Sequence, residues 1–180
     1  MPRTPGQSLV FLVALWASLA WLLPLVARGA ERAPEAPALE GLEARLFVDA
    51  NRVRGRHRRI PLLRLPALDR VARAHSADMA TRSYLSHENP EGESPVDRIE
   101  RGGITGFTLA AENAGLTSHG QPVDEILAGW QTSPDHRRNL LAPAFNATGV
   151  GAARAADGTF YFTQLYVTFP RAARDTRPPR

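Results

Sequence analysis

Five histidines and a complete lack of cysteine decide which chemistry this chain of 180 residues has to offer. Thiolate zinc sites and thiol nucleophiles are excluded, so any metal ligands must be His, Asp or Glu. There is no Gly-rich phosphate loop, no His-Glu-x-x-His zinc helix and no Gly-x-Ser-x-Gly elbow. The common enzyme classes that depend on those spacings gain no support. The histidines differ in their surroundings. His57 and His119 lie in Arg- or Gly-rich polar stretches and read as surface side chains. His75 falls on an apolar helical stripe, where a histidine is expected to be a hydrogen-bonded core residue. His87, in Ser86-His-Glu-Asn-Pro-Glu-Gly-Glu-Ser94, sits among turn formers at a helix end or on a loop, where function concentrates. His136 follows Ser133-Pro134-Asp135. The serine hydroxyl is expected to accept from an orphan backbone N–H, proline has no N–H to lose, and the histidine lands in the first turn of a short helix.

The elements that must position these groups follow from periodicity. Leu42, Leu46, Phe47, Ala50 and Val53 make one face of a helix from Leu39 to about Arg54. It runs into Arg52, Arg54, Arg56, Arg58 and Arg59, read as a solvated helix end where cations suit the negative dipole; the alternative is a patch for phosphate or anionic lipid. Pro66 starts a second helix whose face is Leu68, Val71, Ala72, His75 and Met79. Ser94-Pro-Val-Asp97 is a near capping box, opening a short helix that Gly102-Gly103 stops. Phe107 to Ala111 suits a short buried strand ending at Glu112-Asn113. Gln121 to Gln131 is helical through Val123, Ile126, Leu127 and Trp130, which is therefore expected in the core. Two last strands, Thr148–Arg154 and Thr159–Phe169, are joined through Asp157-Gly158, a strong hairpin signal. In the final strand Phe160, Phe162, Gln164 and Tyr166 share one face and Tyr161, Thr163, Leu165 and Val167 the other. Neither face is polar, so helices must cover the sheet on both sides.

The order Trp130, Ser133-Pro-x-His-Arg137, Asn139-Leu-Leu141 and Gly149-Val-Gly151 resembles the bacterial branch of the CAP superfamily, the secreted domains also called SCP or pathogenesis-related-1-like. Further blocks carry the likeness: Ala72-Arg-Ala-His-Ser-Ala-Asp-Met-Ala80, Ser86-His-Glu-Asn-Pro with Ser94-Pro-Val-Asp-Arg-Ile99, Glu112-Asn113-Ala114 and Phe162-Thr-Gln-Leu165. The resemblance implies an α+β fold, a three-layer α-β-α sandwich with a small antiparallel sheet covered by helices on both sides. It also implies a central cleft lined by two histidines and two acids, with His87, Glu112 and His136 on three of those positions. Such a set suits Zn²⁺ or a similar divalent ion. Ser133 stands where the fourth acid would be. Asp135 is either a substitute acid or a carboxylate favoured by the helix dipole.

The fold leaves the role open. One reading is an exported binding module whose cleft holds a divalent metal and a small or lipid-like ligand or an envelope component. A second is a metal-assisted hydrolase of peptidase type, with Glu112 as base; no nucleophile or oxyanion site is readable for it, and the chain is not assigned as an enzyme. A third is a structural or stress-related envelope protein, the three groups only hydrogen-bonding one another in a vestigial cleft.

Leu9 to Val26 is nearly all apolar, and Ala27-Arg-Gly29 offers small residues where a signal peptidase reads. Residues 1–29 are therefore a signal peptide or a retained membrane anchor. Residues 30–38 form a Pro/Ala-rich linker, 39–170 the folded domain and 171–180 an Arg/Pro tail expected to be disordered. The expected location is secreted, periplasmic or cell-envelope, with membrane contact only through an uncleaved N-terminus. The net charge of +4 is all arginine against acid, there being no lysine, and is no sign of a nucleic-acid partner. Without disulfides, an exported domain must be held by its core alone.

Overall fold

The computed structural model describes residues 39–170; the expected signal or anchor, the linker and the tail lie outside the described residues. The elements run α1 (Leu39–Arg56), β1 (Leu63–Arg64), α2 (Pro66–Arg82), α3 (Pro95–Arg101), β2 (Leu109–Thr117), α4 (Pro122–Thr132), α5 (Pro134–Leu141), β3 (Ala147–Arg154) and β4 (Phe160–Thr168). Four of the helices carry proline in the first turn, where its missing N–H costs nothing. Around α3 the capping box is complete: Ser94 accepts from the Asp97 backbone N–H while the Asp97 carboxylate accepts from Ser94 N–H. Ser133 does not behave as expected. Its side chain makes no capping bond; its own N–H closes α4 on the Gly129 carbonyl, so one residue is the junction of two helices.

The strands form one sheet in the order β1-β3-β4-β2. β3 and β4 are the expected antiparallel hairpin, turned at Asp157-Gly158, and β2 joins β4 antiparallel. The sheet is mixed rather than wholly antiparallel, since the two-residue β1 pairs parallel with β3 at Ala147 and Thr148. So short a strand leaves no periodicity to read. β2 is also longer than expected, carrying Glu112 and Asn113 in its middle instead of at its end, because it pairs with β4 over all nine residues.

α1, α4 and α5 cover one face of the sheet and α2 and α3 the other, which is the three-layer sandwich. β4 lies between the layers. Phe160 and Phe162 pack with Leu46, Val53, Ile126 and Trp130 on one side, while Leu165 and Val167 pack with Leu68, Val71 and Ile99 on the other. α2 rides directly on β3: a Cβ at Gly149 or Gly151 would overlap the backbone of Leu68–Asp69 or Ala72–Arg73. All these core clusters lie within 39–170, so this unit holds its own core.

Two buried charged groups replace missing partners. Beyond Thr148 no strand among the described residues pairs with the outer edge of β3, and carboxylates accept there instead, Asp69 from Val150 N–H at 2.8 Å and Glu43 from Ala152 N–H at 3.1 Å. Arg64 and Arg73 neutralise them, and the charged cover protects the sheet edge from pairing with another chain. Arg54 corrects the reading of the arginine run. It is fully buried, donating to the carbonyls of Ile60, Leu140 and Ala142, and so ties the end of α1 to the end of α5.

Candidate functional site

Glu112 is the centre of the cleft. In the register it stands opposite Leu165, so its side chain joins the α2/α3 layer, while β2 as the outer strand lets residues of α5 reach round the edge. Its carboxylate is 1% exposed and both oxygens are engaged. Oε1 accepts from His87 Nδ1–H at 2.8 Å and Oε2 from the Arg98 guanidinium at 2.7 Å. Arg98, itself buried in α3, also donates to the carbonyls of His87 and Glu93 at 2.9 and 2.8 Å. One guanidinium thus holds both the His87 backbone and the carboxylate that orients the His87 ring. The residue lay inside a quoted sequence block, but nothing in a seven-residue helix tells that its arginine points inward.

His136, from α5, brings its ring to 6.5 Å from that of His87, edge to face, and 6.4 Å from Trp130. Its position comes from a buried polar chain on the α4/α5 side of the sheet. Asn113 donates to the His136 carbonyl at 3.0 Å and to the Tyr166 hydroxyl at 3.1 Å, and Asn139 donates to the Glu112 carbonyl and the Asn113 side chain. Tyr166 passes the chain to Gln164, which donates to Thr148. Each of these groups is satisfied, the condition under which a buried polar network rigidifies a core. Burial pushes the Tyr166 hydroxyl well above its ordinary range.

His75 is buried as expected and donates through Nε2 to the Ser86 carbonyl at 2.9 Å, but it also stands 3.8 Å from Glu112. Behind it and Arg98, between α2, α3 and the 89–93 loop, lies a cavity of about 830 Å³. His57 and His119 are exposed. Asp135 is exposed and pairs with Arg138 at 2.8 Å in the first turn of α5, as the dipole reading has it.

The surroundings shift the three imidazoles in different directions. The hydrogen bond to Glu112 raises the His87 pKa above its ordinary value. Burial first, then the nearby His87, lowers that of His136, and burial lowers that of His75 despite the attraction of Glu112. An ionised carboxylate only accepts, so His87 presents Nδ1–H to Glu112 and leaves Nε2 free. Two imidazoles on one tetrahedral ion have ring centroids about 5–5.6 Å apart, given Zn–N near 2.1 Å, and the observed 6.5 Å is wider than that. Among the described residues no group of three His, Asp or Glu side chains is set to hold a metal. His87 and His136 thus share one cleft without standing at ligating separation, and Glu112, held by Arg98, is the acceptor behind His87.

Residues 49–166, well over half of the chain, match the model of the CAP family, described as the Cysteine-rich secretory protein family. The YkwD protein of Bacillus subtilis is 36% identical over 84 residues, 47% of this chain and 32% of that protein. The chain spans about a third or less of the length of the curated relatives it matches. A solved extracellular protein containing an SCP domain, from Bacillus anthracis, is 33% identical with a TM-score of 0.62, covering 72% of this chain and 41% of that one. An outer surface protein of Borrelia burgdorferi gives a TM-score of 0.67 at 17% identity over 74% of this chain and 96% of that one, a likeness of fold alone. With that match, the matched sequence blocks and the three-layer architecture all coinciding, the chain belongs to the CAP family, as a member without a single cysteine.

Proposed function

We propose that this is an exported CAP-domain protein acting as a binding module, with the two-histidine cleft as its ligand site. The carrying observation is the Arg98–Glu112–His87 chain of hydrogen bonds, which fixes one imidazole with its Nε2 free beside the His136 ring. Export is supported by the apolar N-terminal run and by a relative titled as an extracellular protein. Drawn about 1 Å closer, His87 and His136 would hold a divalent ion such as Zn²⁺, with Glu112 orienting the His87 ring. A bound ion would supply Lewis acidity toward an oxygen of a small or envelope-derived ligand.

The hydrolase alternative asks more of the same residues. A general base needs a carboxylate free to take a proton from water, and both Glu112 oxygens already accept from cationic or cation-forming partners. Calorimetric titration of Zn²⁺ into wild type, His87→Ala and His136→Ala tests the reading. Binding in wild type that disappears in both variants, with cooperative unfolding retained, is the expected result. Equal affinity in all three, or none in wild type, would leave the cleft as a hydrogen-bonded structural feature.

A further inference from the structure

Away from the cleft, the fold gathers a cationic surface from two segments about eighty residues apart in the chain. Arg56, Arg58 and Arg59 end α1 and begin the turn after it. Beside them a shallow pocket of about 510 Å³ is lined by Arg59, Arg137 and Arg138 over apolar Pro134, Leu141 and Pro143. The buried Arg54 makes this assembly, since its guanidinium binds the Ile60 carbonyl on one segment and the Leu140 and Ala142 carbonyls on the other. Among the described residues Arg56, Arg58, Arg59 and Arg137 form no ion pair, whereas Arg138 pairs with Asp135.

Helix dipoles explain cations at the ends of α1 and α5, but two features exceed that explanation. Arg58 takes a left-handed conformation, φ 56°, where glycine is the unstrained residue. Ile60 and Leu63, just beyond the arginines, are 66% and 65% exposed, the most exposed large apolar side chains among the described residues. Arg58 and Arg59 followed directly in the chain by the exposed Ile60 have the composition of a surface that lies on a charged membrane.

We propose that this face docks on a membrane surface bearing anionic phospholipid headgroups, the arginines meeting phosphates and Ile60 entering the headgroup boundary. A nucleic acid is the poorer occupant, since no Phe, Tyr or Trp lines the pocket to stack on bases. The proposal is independent of the cleft and needs no metal.

The test uses residues 30–180, which contain the whole described core and leave out the apolar N-terminal run. The fragment and its variants are first shown to melt cooperatively. Sedimentation with phosphatidylglycerol vesicles is expected to carry the protein down, and with phosphatidylcholine vesicles to leave it in solution. The Arg59→Gln/Arg137→Gln double variant is expected to partition about thirty-fold more weakly, from the usual contribution per surface arginine. Ile60→Ser is expected to weaken it several-fold, and Arg82→Gln, on α2 across the sheet, not at all. Unchanged partition in the double variant would overturn the proposal. So would binding to a DNA duplex as tight as to the vesicles, together with indifference to Ile60→Ser, because that marks a general polyanion site.

Discussion

Glu112 and Arg98 are a charge pair inside the protein, their side chains 1% and 4% exposed. Removing one partner of such a pair strands the other, at about 3–5 kcal/mol. Glu112→Gln is therefore expected to lower the urea-unfolding free energy by that order, and an unchanged midpoint would show that the pair contributes little. In the same variant the His87 pKa, raised by Glu112 in the parent, is expected to fall toward the ordinary value near 6.5, read by NMR titration of the ring. A raised folded-state pKa means that His87 contributes stability below its unfolded pKa, and this is lost as pH rises through the folded value. A metal competes with the same proton, so zinc affinity should decline at a higher pH than a free imidazole would give. His75 has the opposite sign. Burial lowers its pKa, so its contribution is present above the unfolded value and lost as pH falls toward the folded one. His75→Ala should cost on the order of 2–4 kcal/mol as a core truncation and leave zinc binding intact; weakened binding with unchanged stability would contradict that assignment.

At the scale of elements, the helices were legible because their apolar faces repeat every three or four residues over two turns or more. Trp130 continues the face of Val123, Ile126 and Leu127 and is 2% exposed in the same cluster, its indole N–H donating to the Ala114 carbonyl. Trp130→Ala is expected to cost about 3–5 kcal/mol in a denaturant melt, and a melt like that of the parent would mean that the face packs otherwise. Two glycines predict opposite outcomes. Gly151→Ala would push α2 off β3, since the new Cβ meets helix backbone that cannot move aside, and a loss of about 3 kcal/mol or more, or failure to fold, is expected. Gly129 in α4 has open space around the added atom, so Gly129→Ala should gain roughly 0.5–1 kcal/mol from reduced freedom of the unfolded chain. Equal stability of the two variants would refute the close approach of α2 to the sheet.

For the molecule as a whole, the absence of cysteine inside a family described as cysteine-rich moves the burden of stability onto the two apolar layers and the buried ion pairs. Thermal melts with and without a reductant should therefore superimpose. Export predicts a mature N-terminus near Ala30, decided by N-terminal sequencing of protein from the envelope fraction. Full-length protein confined to the cytosol would exclude export, whereas an uncleaved membrane-bound chain would leave export standing and favour the anchor.

Residue order alone determined the helices, the hairpin at Asp157-Gly158, the two-sided burial of the last strand and the family blocks containing His87, Glu112 and His136. These are local signals, carried by periodicity, turn chemistry and fixed spacings. The middle of β2, the two-residue β1 and the inward turn of Arg54 and Arg98 depended on partners tens of residues away. A strand extends as far as its neighbour pairs with it, and an arginine is buried only where carbonyls or a carboxylate from other elements receive its guanidinium. The cleft belongs to the same category: its histidines come from a loop and a helix in different layers, and the free edge of β2, crossed by Asn113 and Asn139, brings them together.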